Sequence, residues 1–539
     1  MKAFFAREKF TQRRKDAKGG VPALCVFATL REFLYNTLQM QHIKYAISFI
    51  TLLFVFALTA YPQQKPMNII FILSDDHRYD AMGFMKKIQG LQTPGLDRMA
   101  AEGAHIRNAF VSTALCSPSR ASILTGKYAH THTVVDNDAP LPSNLVFFPA
   151  YMQRNGYQTS FFGKWHMGNA DDQPQPGFDH WLSFRGQGVY YNPTFNINGK
   201  VIKQPEGSYT TDLLTDYAIN WLNARDKNKP FFVYLSHKGV HAEFQPAKRH
   251  EGKYSSMPVV CPPSMYITAT DSSKRYGKVT NPQTKVNYAD IPEWVKRQRY
   301  SWHGVDYMYH GAIPFDNFYR QYLETLLAVD ESVDKVIAWV KQQGIQNNTM
   351  VIYMSDNGFS FGEHGLIDKR HAYEESMRVP LLVWAPGMIK PNSVVEQVIM
   401  NVDIAPTFLE LAGIAKPADM QGNSFASILK GNTVNWSRKN VYYEYYWEAS
   451  FPQTPTTFSV RTERYKYIYY NGVWDINELF DLQQDPYEMN NLIRDTSYRK
   501  TGLQLKDQLF KWLSETGGLQ IPLKRTIDNR GDHRYRGTF

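Results

Sequence analysis

A chain of 539 residues with 43% apolar and 20% charged side chains is composed like an ordinary globular protein, and its length allows a large core and two to four units. The net charge of +10 suggests a polyanion-binding protein, but residues 1–64 hold nine Lys/Arg against three acids, which leaves +4 for residues 65–539. That distribution excludes a general nucleic-acid surface and leaves room for a local cationic pocket.

In chain order, the first feature is a leader. Residues 45–60 are apolar apart from Tyr45, Ser48, Thr51 and Thr59, with Lys44 before them and small or polar residues at 59–63. A short positive region, an apolar core and a cleavage zone make a secretory signal peptide. The competing reading, a membrane anchor, needs about 20 apolar residues. Met40 stands just before Lys44, so translation is expected to start there. Residues 1–39 then form an extension foreign to the native chain and residues 40–64 the signal peptide. The mature protein is exported, periplasmic or secreted, without stable membrane insertion. Only Cys25, Cys116 and Cys261 exist, and Cys25 would be lost with the leader. Two cysteines cannot build a disulfide framework, although one Cys116–Cys261 bridge is conceivable.

Next come four short apolar runs that each stop abruptly in polar residues. Residues 67–73 run into Asp75 and Asp76, and 157–162 into Gly163, Lys164 and His166. Residues 231–235 run into Ser236, His237 and His241, and 349–354 into Asp356 and Asn357. Runs of this length, rich in β-branched and aromatic residues, fit strands buried on both faces. Between the last two, Leu323, Leu326, Leu327, Asp330, Val333, Val336, Ile337 and Val340 recur at helical spacing over residues 319–343, and Gly344 ends the pattern. Alternating strand and helix predicts an α/β fold with a mostly parallel central sheet flanked by helices. Ligands bind such sheets beyond the carboxyl ends of the strands, so the polar residues after the four runs should converge on one rim. Residues 253–318 lack periodicity and read as a long insertion placed to line a cleft. After about Leu429, strand patterns at 441–447, 458–470 and 477–482 precede a helix at 503–513. They predict a small C-terminal α+β subdomain of antiparallel sheet and helix, residues 431–539, beside a catalytic domain of residues 65–430.

The most informative segment is Cys116-Ser117-Pro118-Ser119-Arg120, continued to Leu124-Thr125-Gly126. Pro118 suits a first helical turn and Gly126 a helix end, which puts Cys116 at a helix N-terminus, a favourable place for an anion. Arg120 lies one turn on and can reach the same point. Such a thiol reads either as a low-pKa nucleophile or as an inert buried cysteine. Asp75, Asp76, Asp356 and Asn357 offer hard oxygen ligands from two strand ends, a set that suits Ca²⁺ or Mg²⁺ rather than zinc.

The segment from Cys116 to Gly126 resembles the signature of the type I, formylglycine-dependent sulfatases of the alkaline-phosphatase-like superfamily. Gly163-Lys164-Trp165-His166-Met167-Gly168 is similar to that family's second signature, and Ser355-Asp356-Asn357-Gly358 and Asp403-Ile404-Ala405-Pro406-Thr407 also match. The resemblance covers roughly residues 66–500. It implies that a sulfatase-maturing enzyme converts Cys116 to formylglycine, and that Asp75, Asp76, Cys116, Asp356 and Asn357 surround one Ca²⁺, with Mg²⁺ as the alternative. By the same resemblance Lys164 and Lys369 bind sulfate oxygens and His166 stands beside the formylglycine. His241 is preferred over His237 as the leaving-group acid. His237 and His364 remain as substrate contacts.

The implied chemistry is displacement at sulfur by a hydroxyl of the hydrated aldehyde, with Arg120 and the lysines holding the sulfate oxygens. His241 would protonate the departing alcohol and His166 would act on the second hydroxyl to release sulfate. The Tyr- and Trp-rich later region fits a sulfated glycan, and the segments Ile367–Glu374 and Arg461–Tyr467 are most similar to bacterial N-acetylglucosamine-6-sulfatases. A 2-O-sulfatase acting on uronate or algal polysaccharide is the alternative within the family. A phosphodiester or phosphonate monoester hydrolase is the alternative within the superfamily, and a catalytically dead glycan-binding relative the alternative outside catalysis.

Overall fold

The apolar runs fold as strands of one sheet. The computed structural model describes residues 66–168, 171–269, 286–307, 313–472 and 475–522, together with Tyr35, so the expected signal peptide and all of the expected extension except Tyr35 lie outside the described residues. Every element below belongs to the unit Pro66–Phe539. The strands are β1 (Asn68–Ser74), β2 (Ala104–Phe110), β3 (Gln158–Lys164), β4 (His180–Phe184), β5 (Thr194–Ile197), β6 (Lys200–Lys203), β7 (Phe231–Ser236) and β8 (Thr349–Ser355). Two-residue strands β9 (Ser360–Phe361) and β10 (Ile367–Asp368) pair with each other, and β11 (Leu381–Trp384) and β12 (Ser393–Met400) complete the large sheet. Its order is β12-β2-β11-β8-β1-β7-β3-β4-β5-β6. β8, β1, β7, β3 and β4 are parallel neighbours, whereas β11 and β5 run against them.

The central strands carry no polar alternation because both faces are covered. β1, β7 and β8 are buried along their whole lengths. Alternate residues feed two cores: Ile69, Phe71 and Leu73 point into one, Ile70 and Ile72 into the other. The helices on the second side include α1 (Pro94–Glu102), α4 (Thr210–Ala224) and α5 (Phe315–Gln342), and those on the first include α2 (Cys116–Thr125), α3 (Phe148–Arg154) and α6 (Ile404–Leu411). The one acid in the apolar stripe of α5 has a structural task. Buried Asp330 accepts the Gly95 and Leu96 N–H groups at 3.0 and 2.7 Å and so caps α1.

The residues after the parallel strands do share one rim, because the strand ends are in register. Leu73 pairs with Ser236, Ser74 with Ser355 and Gly163 with Ser236. A separate antiparallel sheet of β13 (Val441–Tyr445), β14 (Thr457–Arg461), β15 (Tyr465–Tyr470) and β16 (Glu478–Asp481) is packed by α7 (Arg499–Thr516). The indole of Trp512 stacks on Tyr442 at 4.7 Å and meets Tyr128 edge-on at 5.0 Å.

Gly163 of β3 pairs with Ser236 of β7. Its φ is +117°, and a Cβ would stand 1.8 Å from the Ser236 carbonyl oxygen. Gly163→Ala is therefore expected to cost on the order of 3 kcal/mol or more, combining strained backbone with overpacking. Gly199 also has positive φ but open space around it, so Gly199→Ala should cost about 1–2 kcal/mol. Thermal unfolding of the two variants compares them; equal losses would show that the Ser236 contact is not what requires glycine at 163.

Candidate active site

α2 is buried at every residue, so it has no solvent face for its one charged side chain. Pro118 lies in its first turn, and Gly126 ends it at φ +67°, donating its N–H to the Ser122 carbonyl at 2.9 Å. An arginine in such a helix must find buried acceptors. Arg120 donates Nη2 to Asp75 at 3.0 Å and to Asp356 at 2.8 Å, and Nε to Asp356 at 3.0 Å. Its Nη1 reaches the Lys164 carbonyl and the Ser236 hydroxyl, both at 2.7 Å.

Cys116 heads this helix and is fully buried, with Sγ 3.6 Å from an Asp75 oxygen and 3.7 Å from Lys164 Nζ. The helix N-terminus does not give it a low pKa. Burial and then the Asp75 carboxylate push the thiol up to about 12, which the nearby lysines do not offset. Cys116 and Cys261 are both free, which removes the conceivable bridge.

Asp75, Asp76 and Asp356 bring three carboxylate oxygens within 4.8 Å of one another, all fully buried. Burial would raise Asp75, but Lys164, His241 and Arg120 overcome it and hold its pKa well below the usual range. Asp76 responds the other way: burial, reinforced by Asp75 and Asp356, raises it to about 7 despite Lys369. Three acids this close cannot all ionise comfortably with only side-chain cations around them. Asn357 meets the same cluster through its side-chain nitrogen, which donates to Asp76 at 2.6 Å, while its side-chain oxygen is buried without a hydrogen-bond partner among the described residues. A buried all-oxygen set of three carboxylates beside an unpartnered amide oxygen fits a hard divalent cation. Cys116 belongs to a neighbouring cluster with Asp75 and His241.

Lys164 ion-pairs with Asp75 and also donates to Gln187 at 2.5 Å, and Lys369 grips Asp76 at 2.6 and 2.7 Å. The four histidines divide. His166 and His241 line a cavity of about 800 Å³ together with Lys369. Burial, with Lys164 adding to it, keeps His166 neutral, and its Nδ1 has no partner among the described residues. Burial and then Lys369 keep His241 neutral as well; its Nδ1 is 2.5 Å from the Ala242 carbonyl, so the proton sits there and Nε2 carries the lone pair, 3.9 Å from Asp76. His237 points instead into the helix layer, with Nε2 3.0 Å from the Ser332 hydroxyl. His364 is stacked on Tyr373 at 3.8 Å, and burial, with His371 adding to it, lowers its pKa to about 3. Neither of these two lines the cavity.

Residues that the sequence reading did not assign complete the walls. Lys238 and Tyr190 face the cavity, as do Trp302 and His303 from the unperiodic insertion. His303 meets Asp368 at 2.8 Å, while Arg370 lies 3.6 Å above the Phe451 ring and donates to Glu448 at 2.9 Å. Lys238 was within reach, because it sits between two histidines already singled out. Gln187 carried no signal. The loops are tightly bent: Asp76, His166, His364, Asp368 and Arg370 all have positive φ, a conformation that costs non-glycine residues energy and clusters at functional sites.

Comparison with known proteins agrees in kind. Residues 67–414 match the family model described as Sulfatase, and residues 362–515 match the one described as N-sulphoglucosamine sulphohydrolase, C-terminal. A Bacteroides thetaiotaomicron protein named N-acetylglucosamine-6-O-sulfatase is 35% identical over 88% of this chain and 90% of its own length. The human N-acetylglucosamine-6-sulfatase is 32% identical over 72% of this chain and 69% of its own. A solved structure in complex with its substrate D-glucosamine-2-N,6-O-disulfate superposes with a TM-score of 0.73 at 33% identity, covering 86% of this chain and all of that one.

The oxygen cluster makes a direct prediction. Asp75→Asn and Asp76→Asn should each reduce bound calcium or magnesium from about one equivalent to well under half after dialysis, with the circular dichroism spectrum unchanged. Elemental analysis reads this, and stoichiometric zinc in the unsubstituted protein would refute the hard-cation assignment.

Proposed function

The chain belongs to the sulfatase family and is a sulfuric ester hydrolase, and from that premise we propose that it removes the 6-O-sulfate of N-acetylglucosamine or a related sugar in glycosaminoglycan or mucin chains. The observation that carries the reading is the placement of Cys116, with Sγ 3.6 Å from an Asp75 oxygen and 3.7 Å from Lys164 Nζ, one helical turn from Arg120. The names of the relatives, and the doubly sulfated glucosamine in the similar solved structure, support the sugar and the position.

In this reading a sulfatase-maturing enzyme converts Cys116, whose own thiol is too basic to serve as nucleophile at neutral pH. Formylglycine at 116 would supply, as its hydrate, the oxygen nucleophile that replaces the departing sugar oxygen on sulfur. Asp75, Asp76, Asp356 and Asn357 would hold one Ca²⁺, or Mg²⁺ of the same donor preference, which supplies charge stabilisation at a sulfate oxygen. Lys164 and Lys369 approach residue 116 from opposite carboxylates, Asp75 and Asp76, and present ammonium groups to the remaining oxygens. His241 begins neutral, with its lone pair on Nε2. It becomes an acid only after taking up a proton, which the arriving sulfate favours by adding negative charge beside it. His166, neutral and without a partner at Nδ1 among the described residues, is the base for the sulfate-releasing step. We also propose export through the leader at 40–64 and a boundary near 430/431 between the catalytic part and the C-terminal α+β part. No described helix is long and apolar enough to cross a membrane.

Conversion and substrate are tested together. The peptide containing residue 116 should be about 18 Da lighter than its cysteine form, outside the ordinary oxidation ladder, and Cys116→Ala should abolish sulfate release from N-acetylglucosamine-6-sulfate. Full turnover with unmodified cysteine, or faster turnover of 2-O-sulfated uronate or a phosphate ester, overturns the reading.

The histidines separate by step. His241→Ala should slow a sugar sulfate at least tenfold more than a nitrophenyl sulfate, whose leaving group needs little protonation, an effect within the roughly 10²–10⁴-fold range of general acid catalysis. His166→Ala should slow both and leave sulfate on residue 116 as a mass adduct. The leaving-group dependence appearing in His237→Ala instead would move the acid four residues earlier.

A further inference from the structure

The basic side chains on the cavity wall are not equivalent. Lys369 has Asp76 at 2.6 Å, His303 has Asp368 at 2.8 Å, and Arg370 is held by Asp368 and Glu448. Lys238 stands apart: among the described residues no carboxylate lies within 4.0 Å of it. Its ammonium rests 4.6 Å from the centroid of the Tyr190 ring. Both residues line the cavity, and Lys238 is only 5% exposed.

An ammonium this buried loses most of its hydration, and one aromatic face returns on the order of 0.5–2 kcal/mol. The platform is nonetheless built firmly. Tyr190 donates its hydroxyl to the His241 carbonyl at 2.6 Å, and the loop carrying Lys238 is stitched to the Asp75 loop by Asp75 N–H to Gly239 O at 2.9 Å and Val240 N–H to Asp75 O at 2.7 Å. The His241 N–H closes the turn on the Lys238 carbonyl at 3.0 Å. A fixed, desolvated, unpaired cation facing a large cavity is arranged to receive an anion from outside the protein.

We propose that Lys238, seated on Tyr190, anchors a second anion subsite that takes a negatively charged substituent of the substrate other than the sulfate ester being cleaved. The chemistry is an oxyanion group, supplied either by an N-sulfate on the same sugar or by the carboxylate of a neighbouring uronate. The inference rests on the sulfated-glycan reading above and adds a charge requirement to it. A lysine serving only as a distant counter-charge to Asp75 and Asp76 would affect all substrates alike.

The test measures discrimination. Wild type, Lys238→Met and Lys238→Arg are compared on N-acetylglucosamine-6-sulfate against glucosamine-2-N,6-O-disulfate, and on a 6-sulfated uronate-containing disaccharide against its carboxyl-reduced form. Lys238→Met should reduce the preference for the additionally charged member of one pair by about tenfold, carried in KM, and Lys238→Arg should retain most of it. The pair that responds identifies the source of the anion. An equal loss on both members of both pairs, or no loss, overturns the subsite. If wild type turns over none of these sugars, the sulfatase assignment to 6-sulfated glucosamine fails by itself. Calorimetry with N-sulfated glucosamine and the non-sulfated uronate disaccharide then decides the subsite: weaker binding of either by Lys238→Met supports it, and unchanged binding of both overturns it.

Discussion

The guanidinium of Arg120 touches the ends of four strands at once. It is paired with Asp75 after β1 and Asp356 after β8, and it donates to the carbonyl of Lys164 at the end of β3 and to the hydroxyl of Ser236 at the end of β7. All of these groups are buried, so no water can substitute for a missing partner. Breaking one member of such a buried set costs about 3–5 kcal/mol, because the remaining charge stays desolvated. The same side chain therefore fixes the rim geometrically and sets its charge. With α2 anchored at Arg120, Cys116 at the head of that helix has a defined position relative to every strand end.

Charge balance explains the rest of the site. Three buried acids within 4.8 Å are opposed by Arg120, Lys164 and Lys369, yet Asp76 still resists ionisation. The formal charges balance, so it is burial first that keeps Asp76 from ionising, and the buried Asn357 oxygen beside it has no hydrogen-bond partner among the described residues. Burial, with Asp75 adding to it, pushes the Cys116 thiol up, against the effect of the helix terminus. A cysteine in this position is a poor thiolate nucleophile, which is consistent with a site whose reactive group is made from the cysteine rather than being the cysteine.

Much of this was legible because burial writes itself into sequence as uninterrupted apolar runs. The four runs predicted at 67–73, 157–162, 231–235 and 349–354 are β1, β3, β7 and β8, each within a residue or two, and the helix predicted at 319–343 is α5. Asp75, Asp76, Lys164, Asp356 and Asn357 converge as expected of polar residues after parallel strands. The histidines were harder. Lys369 and His364 lie five residues apart, but positive φ at His364 and Asp368 breaks any period between them, so the lysine reaches Asp76 while the imidazole stacks on Tyr373. Lys238 and Gln187 act through loop geometry, which leaves no compositional trace.

One distinction was available and shows how far strand parity extends beyond a strand. In β1, Ile69, Phe71 and Leu73 face the core on the α2 side, and Asp75 continues that parity. In β8, Met350, Ile352 and Met354 do the same, and Asp356 continues it. In β7, Phe232 and Tyr234 face that side, followed by Ser236. These three continuations are the side chains that Arg120 holds. His237 continues the opposite series, Phe231, Val233 and Leu235, toward the core under α5, where it meets Ser332. Alternation therefore assigns His237 to the helix layer before any resemblance is consulted. His241 escapes the rule because four residues of loop separate it from the strand, and that loop turns the chain back toward Asp75. A side chain next to a strand end inherits its face from the pleat, whereas one farther out takes its direction from the hydrogen bonds of the loop. The site uses both: the acids that hold Arg120 are set by the sheet, and the groups that face the cavity are set by the bent segments beyond it.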